Sequence, residues 1–275
     1  MKKIVFPTDF SDNSWSAIVY ALKLFQNEIC TFYFLHSSEF HYSTMSNLSN
    51  KLLRTIESNA LKDLQSTLKQ AQSIDVNSNH KFESLLSSKP LIEAIRATVN
   101  DHNINYVVMG TKGATGAKSM FFGSNTTTVI KKMRDCPILV VPDEYDFVVP
   151  KQIAYPSDFN RFLGPREYKP IREIAKLHDS AIRIMHINEE EELDEIQKYN
   201  RISIEECFKK FDHSFHWMPK FAKKSTEIEV FIQDLEIDML ALVNYKHSFI
   251  EDLIREPVIK KIGFHPIVPF LVIPE

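Results

Sequence analysis

The chain has 275 residues, enough for two ordinary domains or one large one, and 33 basic against 36 acidic residues leave a net charge of -3. A balance so even lacks the concentrated positive field that binding to nucleic acid or a membrane surface requires. Three cysteines, Cys30, Cys136 and Cys207, without CxxC spacing argue against a disulfide scaffold or a zinc ribbon and fit a reducing compartment.

The opening residues reach Pro7 and Asp9 before an apolar leader core forms, and no apolar run approaches membrane-spanning length, so a soluble cytoplasmic protein is expected. Lys3–Phe6 reads as a short apolar strand, and Trp15–Phe25 carries apolar residues at helical spacing. Ile29–Leu35, rich in β-branched and aromatic residues, reads as a second strand. A long polar helix is expected over about Ser46–Gln72, then a strand at Asn79–Leu85. Pro90–Asn100 starts a helix with proline in its first turn. Strand Tyr106–Met109, a glycine-containing loop, a helix over Thr127–Arg134 and strand Ile138–Val141 follow. Strands separated by helices imply βαβ units and a parallel sheet covered on both faces.

Four of the chain's six glycines, Gly110, Gly113, Gly116 and Gly123, fall between Met109 and Thr126. A strand, a glycine-rich loop and a helix N-terminus make a site for phosphate, because backbone N–H groups and the helix dipole both favour an anion. The loop is neither a Walker A sequence, since Ala117 precedes Lys118-Ser119 where glycine belongs, nor GxGxxG. On bare physical grounds Gly110 lets a ligand approach the end of its strand, and Gly113 permits a positive φ or close passage of the backbone. The first helical turn, Asn125 to Thr128, holds no Asp or Glu to offset the dipole, which leaves that role to an external anion, with Lys112, Lys118 and Lys131 adding positive charge. A plain surface loop with a serine cap is the alternative.

The chain also repeats itself. Ile4-Val5-Phe6-Pro7-Thr8-Asp9-Phe10 returns as Ile153-Ala154-Tyr155-Pro156-Ser157-Asp158-Phe159, and Leu35-His36 as Met185-His186. Ile130-Lys131-Lys132 returns as Ile259-Lys260-Lys261, and Pro137–Pro142 as Pro269–Pro274. Four matches in one order imply a duplicated domain, with the junction between Asp143 and Lys151 and domains over 1–145 and 150–275.

The spacing Gly110-x2-Gly113-x9-Gly123-Ser124 resembles the nucleotide-binding signature of the universal stress protein family. Val108–Thr111 before it, Cys136–Pro142 after it and the opening Val5–Ser11 resemble that family too. The likeness spans the first 142 or so residues and only the two ends of the second copy, so the chain looks like a tandem member. It implies an α/β fold of two tandem doubly wound, Rossmann-like parallel-sheet domains packed about a pseudo-two-fold axis. Such a pair mimics the dimer that single-copy members form through their last strand, and a further homodimer is compatible with it.

Carried over residue by residue, the resemblance gives Pro7, Thr8 and Asp9 contacts with adenine and ribose, and Ser37 a place near the base. Met109, Gly110, Lys112 and Gly113 fall on the ribose and α-phosphate side, and Gly123, Ser124, Asn125 and Thr126 on the β- and γ-phosphates. Asn125 is polar where the family often has an apolar residue, but the backbone N–H does the binding. Without the resemblance, Asp9 reads equally as an acid near a helix cap formed by Ser11 or Asp12. The implied ligand is ATP, with ADP or AMP as alternatives and Mg accompanying the nucleotide.

In the second copy Asn244-Tyr245-Lys246-His247-Ser248-Phe249 stands where the glycines belong, and Glu251, Asp252 and Glu256 oppose a triphosphate, so no ATP site is expected there. His36 and His186 at strand ends read as general bases or, more simply, as hydrogen-bonded structural residues. His213-x2-His216 near Cys207 is read as polar surface rather than as a metal site. The leading reading is an ATP-binding regulatory or stress-response protein with one site per chain and at most slow hydrolysis. The alternative is a nucleotide-dependent transferase or adenylating enzyme of related fold.

Overall fold

The computed structural model describes residues 1–38, 50–111, 123–143, 145–188, 192–219, 224–245 and 268–274. Tertiary contacts divide the chain into two units, Met1–Phe147 and Val148–Glu275.

The first unit contains β1 (Lys2–Pro7), α1 (Asp12–Leu24), β2 (Cys30–Ser37), α2 (Asn50–Ile74), β3 (Lys81–Ser87), α3 (Leu91–His102), β4 (Tyr106–Gly110), α4 (Ser124–Lys132) and β5 (Ile138–Val141). Its strands lie in the order β3-β2-β1-β4-β5, all parallel. Every residue of β4 and β5 is buried, as strands covered by helices on both faces must be. α1 packs on β4 and β5, α2 on β2 and β3, and α3 on β1, β2 and α4. The core is aromatic: Phe6 stacks on Phe32 at 5.5 Å and meets Phe34 edge-on at 5.3 Å. Each such buried ring contributes about 1.5–3 kcal/mol through its removal from water.

Several boundaries moved from their expected places for local reasons. α1 starts at Asp12 rather than Trp15 because Ser11 caps it, accepting from the Ser14 N–H at 3.3 Å. β3 begins two residues late because Asn77 ends the preceding turn, its side-chain amide donating to the Gln26 and Glu28 carbonyls at 2.8 and 2.9 Å. Pro90 is the cap of α3 rather than a member of it. α4 runs Ser124–Lys132 rather than Thr127–Arg134, since Gly123 takes the cap position and Met133 is already extended. The first residues expected of the long helix, before Asn50, lie outside the described residues.

The second unit contains β6 (Gln152–Pro156), α5 (Lys169–His178), β7 (Ala181–Asn188), α6 (Glu195–Phe208), β8 (His213–Pro219), α7 (Lys224–Asp234), β9 (Met239–Asn244) and β10 (Phe270–Pro274). Its order, β8-β7-β6-β9-β10, again all parallel, repeats that of the first unit. Small details repeat with it. The Asn105 amide oxygen accepts from the Lys3 N–H at 2.8 Å ahead of β4, and the Asp238 carboxylate accepts from the Gln152 N–H at 2.9 Å ahead of β9. The doubly wound, duplicated α/β fold is therefore present in both halves.

At the end of the first unit's sheet remote from the C-terminal strand ends, the buried His80 ring ties the α2–β3 connection to the α1–β2 connection. Its Nδ1 lies 2.9 Å from both carboxylate oxygens of Asp75, and its Nε2 lies 3.0 Å from the Glu28 carbonyl. Asp75→Ala leaves that ring without its carboxylate and is expected to lower stability by about 1–3 kcal/mol. Urea denaturation of the full chain checks this, and a variant as stable as the wild type would refute the clamp.

Candidate functional site

Parallel strands bring all their C-terminal ends to one rim. In the first unit β1 leads to β2 and β3 on one side, while β4 and β5 lie on the other, so the crevice between their departing loops opens beside β1. A cavity of about 180 Å³ occupies that place. Eight residues singled out from the sequence line it: Pro7, Thr8, Asp9, Ser37, Met109, Gly110, Asn125 and Thr126. Gly123 and Ser124 sit beside it at the start of α4. Lys112 and Gly113 lie outside the described residues.

The loop after β1 is tightly braced. Phe10 is left-handed at φ 64°, a conformation that bulky residues seldom adopt and that its surroundings must hold in place. The Phe10 N–H donates to Thr8 Oγ1 at 3.0 Å, and Thr8 Oγ1 lies 3.0 Å from Ser14 Oγ. Asp9 Oδ1 accepts from the Ser11 hydroxyl at 2.6 Å and from the Ser11 N–H at 3.2 Å. Asp9 thus both lines the cavity and stiffens the helix cap. His36 Nδ1 lies 2.8 Å from the Thr8 carbonyl, and its ring stacks on Phe10 at 4.6 Å. That engagement is structural, as the simpler reading of His36 held.

Gly110 is required by a neighbouring helix, which the sequence reading did not foresee. A Cβ there would sit 2.6 Å from Asn13 Cγ and 2.8 Å from the Asn13 carbonyl oxygen, so glycine makes room for α1 rather than only for a ligand. Thr126 Oγ1 then donates to the Gly110 carbonyl at 2.8 Å and pins the first turn of α4 to the end of β4. Gly123 caps α4 with no side-chain hydrogen bond, no acid occupies the first turn, and Lys131 and Lys132 lie in the last. The positive end of this dipole is offset by no carboxylate of its own helix.

Sequence reasoning missed Ser14 and Leu91 as cavity walls, and it read His36 as a general base or a structural residue without placing it in the cavity wall. Leu91 opens α3 at the same rim, and Ser37 Oγ donates to the Lys89 carbonyl at 2.7 Å, which ties that helix start to β2. The cue available in the sequence was that helices following these strands must also begin on this rim.

In the second unit the corresponding loop is braced in the same way. Phe159 has φ 57°, its N–H donates to Ser157 Oγ at 3.1 Å, and Asp158 Oδ1 accepts from the Asn160 N–H at 3.0 Å. The space beside it is only about 10 Å³. The Tyr245 hydroxyl donates to Asp158 Oδ1 at 3.2 Å, and the Arg161 guanidinium lies 5.3 Å from the Tyr245 ring centre. Burial, and then the Asp158 charge, hold the Tyr245 phenol well above its ordinary range, so it stays a donor. An aromatic plug stands where the first unit is open.

Other chemistry is muted. Burial pushes the Cys30 and Cys136 thiols up to about 12, so neither supplies a thiolate. His213 is 3.0 Å from the Phe211 carbonyl and His216 is 2.8 Å from Ser214 Oγ. Among the described residues no group of three His, Cys, Asp or Glu side chains converges as a metal site, and no helix is long and apolar enough to cross a membrane.

The sequence profile of the universal stress protein family matches residues 1–142. This chain belongs to that family. It is 31% identical over 146 residues to a universal stress protein of Methanocaldococcus jannaschii, an alignment covering 51% of this chain and 81% of the relative. A universal stress protein structure from Archaeoglobus fulgidus superimposes with a TM-score of 0.72 at 15% identity, covering 99% of this chain and 96% of that one. A putative universal stress protein from Pseudomonas aeruginosa gives a TM-score of 0.58 at 12% identity, covering 100% and 93%. These two likenesses establish the fold across both halves of the chain.

Gly110→Ala forces Asn13 and α1 away from β4 and is expected to cost about 1–3 kcal/mol, as overpacking of a close contact does. Thermal melts of the full chain check it. An unchanged melting temperature would show that the glycine is not held by α1.

Proposed function

We propose that the first unit binds one adenine nucleotide, ATP in the first instance, and that the chain acts as a nucleotide-responsive stress protein in the cytoplasm. The observation that carries this reading is the contrast between the two units. The same fold and the same braced loop enclose about 180 Å³ at the strand ends of one and about 10 Å³ at those of the other. The open space adjoins a helix start with no acid in its first turn, which is the environment a phosphate chain favours.

In this reading Pro7, Thr8, Asp9 and Ser37 hold base and ribose. Met109, Gly110, Lys112 and Gly113 accompany the ribose and α-phosphate, and Gly123, Ser124, Asn125 and Thr126 receive the outer phosphates. Mg travels with the nucleotide. The one carboxylate among the described cavity-lining residues is Asp9, already engaged by Ser11. With no second carboxylate there to position water, hydrolysis is slow or absent.

Calorimetric titration of the full chain with MgATP is expected to give one site per chain, and two equivalent sites or none would overturn the assignment. Gly113→Val should abolish binding by blocking the backbone's approach to phosphate. Retained affinity would place the phosphates elsewhere. Asp9→Ala should weaken binding by about 1–2 kcal/mol for a lost hydrogen bond to sugar or base. Unaltered affinity in a variant that still melts cooperatively would remove Asp9 from the ligand contacts.

A further inference from the structure

His36 and His186 occupy equivalent places at the ends of β2 and β7 and are held alike. Each has Nδ1 on the carbonyl of the residue after the strand-end proline, 2.8 Å from Thr8 and 2.9 Å from Ser157. Each stacks on the left-handed phenylalanine at 4.6 Å, with ring planes 26° apart at Phe10 and 10° apart at Phe159. A carbonyl oxygen only accepts, so Nδ1 carries the proton in both. In a neutral imidazole the Nε2 atom is then a bare acceptor.

The two histidines differ in what lies beyond the ring. His186 is 2% exposed, and across the sheet it pairs in register with Trp217, whose ring meets it edge-on at 5.1 Å. His36 pairs instead with Leu86, remains partly open and forms part of the cavity wall. Among the described residues its Nε2 has no protein partner, whereas its Nδ1 and its ring face are already committed. One unit has sealed this device beneath a tryptophan, and the other exposes it where Thr8, Asp9 and Ser37 also converge.

The geometry points to His36 as the residue that selects the base, its Nε2 accepting a hydrogen bond from the exocyclic 6-amino group of adenine and disfavouring a 6-oxo purine. This rests on the adenine-nucleotide reading of the cavity and adds a specificity determinant to it. A 6-oxo group presents lone pairs to a lone pair, and because the ring is locked by Thr8 and Phe10 it does not turn to offer its proton instead. Rejection by an unmatched polar group in a confined site is stronger than rejection by shape.

Affinities of the full chain for ATP and for inosine triphosphate are compared in the wild type, in His36→Gln and in His186→Gln. The wild type should favour ATP by at least about tenfold. In His36→Gln, whose amide offers a donor as readily as an acceptor, that ratio should fall towards unity, and in His186→Gln it should persist. A wild type that does not discriminate, a His36→Gln ratio equal to the wild-type ratio, or an equal collapse in His186→Gln would overturn the role of His36 while leaving nucleotide binding intact. Binding of neither nucleotide would overturn the nucleotide reading and this inference with it. Should His36→Gln not fold, nitrogen-15 spectra of the wild type decide: the unprotonated Nε2 resonance of His36 should shift on adding ATP and not on adding inosine triphosphate. An unmoved resonance with ATP bound would overturn the assignment.

Discussion

Parallel pairing of β1 with β2 on one edge and with β4 on the other is the constraint from which the rest of the first unit follows. Ile4 and Val5 sit opposite Phe32 and Tyr33 on one side and Tyr106 and Val107 on the other, so β1 cannot leave the middle of the sheet without stranding both ladders. Because the chain departs from β1 in one direction and returns at β4 in the other, their loops diverge at the C-terminal rim. The cavity is what that divergence leaves. Its depth depends on α1 approaching β4 closely, which the absent side chain of Gly110 allows.

Duplication makes the division between scaffold and site unusually clear. The left-handed phenylalanine, the serine or threonine hydroxyl that receives its N–H, and the histidine beneath it occur in both units. The bracing that the two units share belongs to the fold, since backbone strain persists only where neighbouring contacts hold it, whereas what His36 Nε2 meets is decided by the rim. What separates the units is side-chain volume at the rim. Tyr245, with Arg161 and Asp158, fills one crevice, while the first unit has Thr111 at the end of the ladder, its N–H donating to the Val141 carbonyl at 3.0 Å. A ring that fills the crevice with its hydroxyl hydrogen-bonded removes the space a ligand needs.

Much of the architecture was legible because buried strands announce themselves. Tyr106–Met109 and Ile138–Val141 are apolar throughout, and only a strand covered on both faces uses such runs. The edge strand β3, with four of seven residues polar and its start fixed by the Asn77 turn, was the least exactly placed of the first unit's strands. Helix starts were misplaced where capping decided them, at Ser11 and Gly123, because periodicity locates a helix's apolar face better than its first residue. At the rim, Asp9 and Gly110 were recognisable as strand-end residues from local pattern, and Pro7 and Thr8 through the family resemblance. Leu91 was not, since its presence there depends on a helix from elsewhere in the chain.

The sequence by itself determined the strand–helix alternation, the duplication and the asymmetry between a copy with a glycine-rich loop after its fourth strand and a copy without one, because each of these is written in residue type and spacing. Tertiary structure alone decided that Gly110 serves Asn13, that Asp9 braces Ser11 while facing a cavity, and that Tyr245 plugs the second crevice through Asp158. It also decided that His36 faces space while His186 lies under Trp217. Those outcomes join residues as far as 97 positions apart, as with Gly110 and Asn13, and no local pattern records a distance that only the packed sheet creates.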